Sequence, residues 1–123
     1  MLLDTNIVIY ACQPGGGWLT PWTSDPDAAI ASVTRIEALG FAGISPDEKA
    51  AILGFINASP TYPLGDEVIE LAIQLRQQKK MKLGDAIIAA TALAYHIPLV
   101  TRNEDDFNHI PGLDLRNPFV ITP

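Results

Sequence analysis

The chain of 123 residues carries fourteen Asp and Glu against eight Lys and Arg, for a net charge of −6. That acidic balance argues against a general nucleic-acid binder with the usual basic footprint and disfavours anionic membrane surfaces. Hydrophobic residues at 48% with 18% charged exclude a disordered chain, and the single Cys12 excludes an internal disulfide or a multi-cysteine zinc site. The length suits one domain spanning residues 1–123. The amino terminus has no basic region followed by an apolar core, so the expectation is a soluble, cytoplasmic protein with no membrane association.

Met1-Leu2-Leu3-Asp4 reads as a short buried strand ending in an acid, and Thr5 to Ala11 as a short helical or turn-like segment. Gln13 to Pro26 holds three glycines, three prolines and both tryptophans, which predicts a surface excursion. Its Gly15-Gly16-Gly17 lacks the Gly-Lys-Ser/Thr of a phosphate loop, while an exposed Trp18 or Trp22 would mark a contact surface. Ala28 to Ser32 is a short apolar strand, followed by helical spacing at Val33, Ile36, Leu39 and Gly40. Ser45-Pro46-Asp47-Glu48 combines a capping box with proline at the first helical position, starting a helix to about Asn57 with Ile52, Leu53 and Ile56 inward.

Thr61 to Leu64 is a short strand, and Asp66 caps a helix that buries Val68, Ala72 and Leu75. Its end is basic, with Arg76, Lys79 and Lys80, and Lys82 follows. From Ala86 to Tyr95 only Thr91 is polar, so the helix from Asp85 to about His96 is buried, with Asp85 as its N-cap. Ile97 to Thr101 is a strand that pairs only from Leu99 onward because of Pro98. Arg102 to Gly112 is a polar loop with one helical turn, and Phe119-Val120-Ile121 adds a terminal edge strand. Strands alternating with helices predict an α/β fold around a mainly parallel sheet.

In such a sheet, ligands bind outside the carboxyl ends of the strands. Asp4, Glu37, Asp85 and either Asp105 or Asp106 fall where that rule converges them. Each has a purely structural reading: Asp4 and Asp85 as caps, Glu37 as the partner of Thr34 in a capping box, and the loop pair as solvated charges. Jointly, clustered carboxylates repel at about 4 kcal/mol for a pair 4 Å apart at an effective dielectric near 20, and a divalent cation relieves that repulsion.

Four motifs in order resemble those of the PIN domain family: Leu3-Asp4-Thr5-Asn6, Ser32-Val33-Thr34-Arg35-Ile36-Glu37, Leu83-Gly84-Asp85-Ala86-Ile87-Ile88-Ala89-Ala90, and Thr101-Arg102-Asn103-Glu104-Asp105-Asp106-Phe107. More narrowly, the chain is similar to the VapC ribonuclease toxins of toxin–antitoxin pairs. The resemblance spans essentially the whole chain. It implies a three-layer α/β/α sandwich around a four- to five-stranded sheet, and a Mg²⁺- or Mn²⁺-dependent endoribonuclease. The family's acids carry over to Asp4, Glu37 and Asp85. Its fourth acid often stands where this chain has Asn103, and Asp106 is the compensating acid. The resemblance further implies a homodimer and a cognate antitoxin that inserts into the acidic groove.

On this reading Asp4 and Asp85 hold the metal directly, Glu37 and Asp106 complete its shell, and Thr5, Asn6, Thr101 and Asn103 orient carboxylates or water. Arg102, Lys79, Lys80 and Lys82 are the candidates for RNA phosphate, with a solvated helix end as the alternative for the lysines. No Gly-x-Ser-x-Gly elbow is present, and His96 and His109 do not form an evident catalytic pair. A competing class of function is a PIN scaffold that binds RNA or protein without catalysis, for which Asn103 argues. A phosphatase with Asp4 as nucleophile lacks the second acid two residues on, where Asn6 stands.

Overall fold

Five two-residue strands carry the sheet of this computed structural model, which describes residues 1–120: β1 (Leu2–Leu3), β2 (Ile30–Ala31), β3 (Thr61–Tyr62), β4 (Leu99–Val100) and β5 (Leu115–Arg116). One ladder runs β1-β4-β5 and a second pairs β2 with β3, all parallel. A parallel bridge between Leu2 and Ala29 joins the ladders, with Leu3 N–H donating to Ala29 O at 2.9 Å and Ala29 N–H donating to Met1 O at 3.0 Å. The strand order is therefore β3-β2-β1-β4-β5. The chain leaves β1 toward β2 and β3, then crosses to β4 and β5, so the topological switch point lies between β1 and β4.

Successive strand residues point to opposite faces, and the two apolar clusters divide accordingly. Leu2, Ala31 and Leu99 belong to one cluster, and Leu3, Ile30 and Val100 to the other. The first is covered by α5 (Asp66–Gln78) and α6 (Leu83–Ala94), through Val68, Ala72, Leu75, Ala86, Ile88 and Ala89. Helices α1 (Thr5–Cys12), α3 (Ser32–Leu39) and α4 (Pro46–Asn57) cover the second, through Ile7, Val8, Ala38, Ile52 and Ile56. This is the expected α/β/α arrangement. Leu2, Leu3, Leu99 and Val100 are all at most 1% exposed, so each contributes about 1.5–3 kcal/mol of burial.

Local chemistry accounts for most element ends. Ser45 Oγ accepts from Glu48 N–H at 3.1 Å while Glu48 reaches back to Ser45 N–H, and Pro46 opens α4 as expected. Pro98 O accepts from Leu2 N–H at 2.7 Å, and pairing of β4 begins at Leu99.

Several expectations need correction. Asp85 is not the N-cap of α6. Lys82 is, and Asp85 is the third helical residue, still in the first turn where the dipole favours an anion. Likewise Gly65, not Asp66, caps α5. The Thr34–Glu37 capping box does not form, because α3 begins at Ser32 and both residues lie inside it. Ile36, one of the apolar positions of the helical spacing, is 73% exposed, because Thr34 and Ala38 take the buried side. The Gln13–Pro26 excursion contains a 3-10 turn (Gly16–Leu19) and the short α2 (Thr20–Thr23). The last described strand is Leu115–Arg116, set by pairing with β4, while Phe119 and Val120 lie in a turn and Ile121 falls outside the described residues.

Candidate active site

Asp4 and Thr101 follow β1 and β4 directly, so they sit at the carboxyl ends of the two strands flanking the switch point. Asp4 N–H donates to Val100 O at 2.9 Å, which extends the β1–β4 pairing into the site. The Asp4 carboxylate is 4% exposed and held at both oxygens. Oδ1 accepts from Thr5 N–H at 2.8 Å, making Asp4 the N-cap of α1, and Oδ2 accepts from Thr101 Oγ1 at 2.8 Å. Thr101 Oγ1 in turn accepts from Asn103 N–H at 3.0 Å. The cap and the site are one carboxylate with two separately employed oxygens.

Thr5 joins a second acid to the first. Its hydroxyl donates to Glu37 Oε1 at 2.7 Å and lies 2.9 Å from Thr34 Oγ1. An ionised carboxylate can only accept, so the single Thr5 proton goes to Glu37 and Thr34 is the donor to Thr5. Thr34 is fully buried, and that burial aligns α3 against α1. Glu37 itself is exposed, and its carboxylate lies against Gly84 of α6. A Cβ at residue 84 would stand 2.9 Å from Glu37 Cδ and 3.4 Å from Oε1, so a side chain there would have to push the exposed Glu37 carboxylate aside.

The four expected acids feel one another. Burial raises the Asp4 pKa from 3.8 to about 6, against the lowering effect of the Thr101 and Thr5 hydrogen bonds, and the charges of Asp85 and Glu37 push it further up. Burial also raises Asp85, with Asp106 and Glu37 adding repulsion and Lys82 opposing it. Asp106 is thus the member of the loop pair whose charge reaches Asp85. Among the described residues, however, no three His, Cys, Asp or Glu side chains stand gathered as a ready set of metal ligands.

A cavity of about 440 Å³ opens beside Asp85, lined also by Asp105, Asp106, Lys79, Lys80, Lys82, Met81 and His109. The lysines therefore rim the acids. Arg76 departs from that basic group: its Nε donates to Met81 O at 3.3 Å, and its side chain lines an apolar groove with Leu64, Ile69, Ile73 and Leu83. Arg102 turns toward Tyr10, whose hydroxyl accepts from Nη1 at 3.2 Å. Asn6 is exposed, and its side chain makes no hydrogen bond among the described residues; the Asn103 side chain likewise makes none. Sequence reasoning missed Gly84 as a spacer and Tyr10 and Phe119 as supports of Arg102. A glycine in the first turn of an otherwise apolar helix was the one available signal for the former.

A divalent cation suits this donor set. The groups are hard carboxylate oxygens, and Asp4 and Asp85 have raised pKa values, first from burial and then from neighbouring carboxylates. Glu37, tied to Thr5, and Asp106 are exposed.

Known proteins resemble the chain over nearly its whole length. A chain of the toxin–antitoxin complex from Klebsiella pneumoniae is 32% identical, with 98% of each chain covered and a TM-score of 0.76. The Ribonuclease VapC of Rickettsia bellii (strain RML369-C) is 29% identical over 126 residues, covering 94% of this chain and 93% of the relative. VapBC2 from Rickettsia felis, solved bound to a DNA fragment from its promoter, shares the fold at a TM-score of 0.79 and 23% identity, with 94% and 96% of the chains covered. The profile of the PIN domain matches residues 1–113, and the chain belongs to the PIN domain family.

Proposed function

We propose that the protein is a metal-dependent endoribonuclease, the toxin of a VapBC-type toxin–antitoxin pair. The observation that carries this reading is the state of Asp4, a buried carboxylate at the switch point whose charge is opposed by burial, Asp85 and Glu37. Such a group is retained when a cation relieves it. The similarity to the Rickettsia bellii ribonuclease and to the Klebsiella pneumoniae toxin–antitoxin complex supports the same assignment.

Asp4 and Asp85 are the residues that would hold Mg²⁺ or Mn²⁺, with Glu37 and Asp106 completing the set. The bound ion supplies an acidified water and neutralises charge at the scissile phosphate. Thr101 and Thr5 hold the Asp4 carboxylate in one orientation through its two hydrogen bonds. Thr5 also ties Glu37 to the same position. Lys79, Lys80 and Lys82 offset the acids for an approaching RNA backbone. No side chain forms a covalent intermediate, and hydrolysis leaves a 5′-phosphate and a 3′-hydroxyl.

Cleavage of total RNA with Mg²⁺, with EDTA, and with the Asp85→Asn variant, followed by end mapping, tests the reading. Cleavage that survives EDTA or Asp85→Asn at the wild-type rate overturns it. A non-catalytic PIN scaffold is the second reading, favoured by Asn103 and by the absence of a gathered ligand triad among the described residues. A Mn²⁺ titration separates the two, because a scaffold binds no metal at the acids. A cognate antitoxin and a second copy of the chain are the protein partners this reading carries. Asp85, Asp105 and Asp106 in the cavity offer anionic partners to a basic antitoxin side chain, and native mass with and without the antitoxin reports both assemblies.

A further inference from the structure

Beside the acid groove, Arg102 has an unusual setting for a protein of net charge −6. Among the described residues the one ion pair is Arg116–Asp114, so Arg102 has no carboxylate partner there although Glu104, Asp105 and Asp106 follow it closely. Its guanidinium instead lies 4.6 Å from the Phe119 ring centre and 5.4 Å from that of Tyr10. Asn117 holds this stack together. Its Nδ2 donates to Arg102 O at 3.3 Å and to Glu104 Oε2 at 3.1 Å, and its Oδ1 accepts from Phe119 N–H at 2.9 Å.

Trp18 completes the assembly, edge to face with Phe119 at 4.8 Å, yet 49% exposed. Its turn is firmly anchored: Leu19 is fully buried, and Gly16 packs so closely on α1 that a Cβ there would meet Ala11 O at 2.8 Å. The ring is thus held outward and shares Phe119 with a cation that has no carboxylate partner among the described residues. The backbone link to the site is short, since Thr101, the neighbour of Arg102, hydrogen-bonds Asp4.

We propose that Arg102 and Trp18 form a subsite for one nucleotide of single-stranded RNA flanking the scissile phosphate, with the phosphate on Arg102 and the base stacked on Trp18. This rests on the ribonuclease reading. Single strands are the fitting class, because their bases can splay onto aromatic rings whereas paired bases are not available for stacking.

Binding of a labelled single-stranded oligoribonucleotide, measured by anisotropy in EDTA, tests the subsite. Trp18→Leu is expected to weaken binding about tenfold or more, while Trp18→Phe keeps most of the affinity. An oligonucleotide carrying abasic positions should bind the wild type as weakly as intact RNA binds Trp18→Leu, and should bind Trp18→Leu no worse still. Arg102→Gln should lower the salt slope by about 1. Equal losses for Leu and Phe, wild-type affinity of Trp18→Leu, or an unchanged salt slope for Arg102→Gln overturns the subsite while RNA cleavage by the wild type leaves the ribonuclease reading standing. A change of native mass in Trp18→Leu without a change in RNA affinity assigns the ring to a protein interface and also overturns it. A wild type that neither binds nor cleaves RNA removes the ribonuclease reading itself.

Discussion

Replacing Asp4 by Asn should make the metal-free protein more stable at neutral pH while abolishing its activity. The Asp4 carboxyl is raised from 3.8 to about 6, first by burial, and at 1.36 kcal/mol per pKa unit this costs the folded state about 3 kcal/mol once the group is ionised. Below pH 3.8 the carboxyl is protonated in both folded and unfolded chains and the cost is absent. As pH rises toward 6 the folded state retains a proton that the unfolded state has released, so stability falls, and above that the full cost applies. Asn keeps an oxygen for Thr5 N–H but deprives the Thr101 hydroxyl of its acceptor, which removes about 1 kcal/mol of the gain. The net expectation is an Asp4→Asn variant about 1–2 kcal/mol more stable than wild type at pH 7.5 in EDTA, an advantage that shrinks or reverses at pH 4.5. Urea unfolding at the two pH values measures it. Asp85 is raised too, but it is present in both proteins and largely cancels from the difference. A stability difference that is the same at both pH values would refute the reasoning.

Gly84→Ala should leave thermal stability nearly unchanged, because the colliding group is the exposed end of Glu37, yet reduce RNA cleavage about 10- to 100-fold by displacing that carboxylate from Thr5. The double variant with Glu37→Gln should lose little more than either single one, and additive losses would break the link between them. Thr101→Val strands Asn103 N–H and removes a donor from Asp4, so it should cost about 1–3 kcal/mol in unfolding experiments and weaken Mg²⁺ activation. Ser45→Ala should cost about 1 kcal/mol by dismantling the α4 capping box, with cleavage per folded molecule unaltered.

Strand and helix order were legible because they rest on local pattern. The doublet Leu2–Leu3, the capping box at Ser45, Pro98 before Leu99 and the apolar run after Asp85 each act within a few residues. The four candidate acids stood out as motifs in family order, but their relations in space did not. The Thr34–Glu37 spacing matches a capping box, and only the packing of α3 on α1 turns Thr34 inward to Thr5 and Glu37 across to Gly84. Asp85 looked like a cap because a helix start was read from the first apolar residue, whereas the helix reaches back to Leu83. The terminal strand was misplaced because an edge strand of two residues is specified by its partner, here β4, more than by its own composition. Arg102 illustrates the same division. Sequence alone marked it as a basic residue beside the site, while its seat on Tyr10 and Phe119 brings together residues 92 and 17 positions away. The sequence by itself determined most of the elements and their order, since these depend on neighbours along the chain, and its motifs put forward the candidate acids. Tertiary structure decided which oxygen faces which donor, because those contacts form only when β1 and β4 meet at the switch point and α3 closes over them.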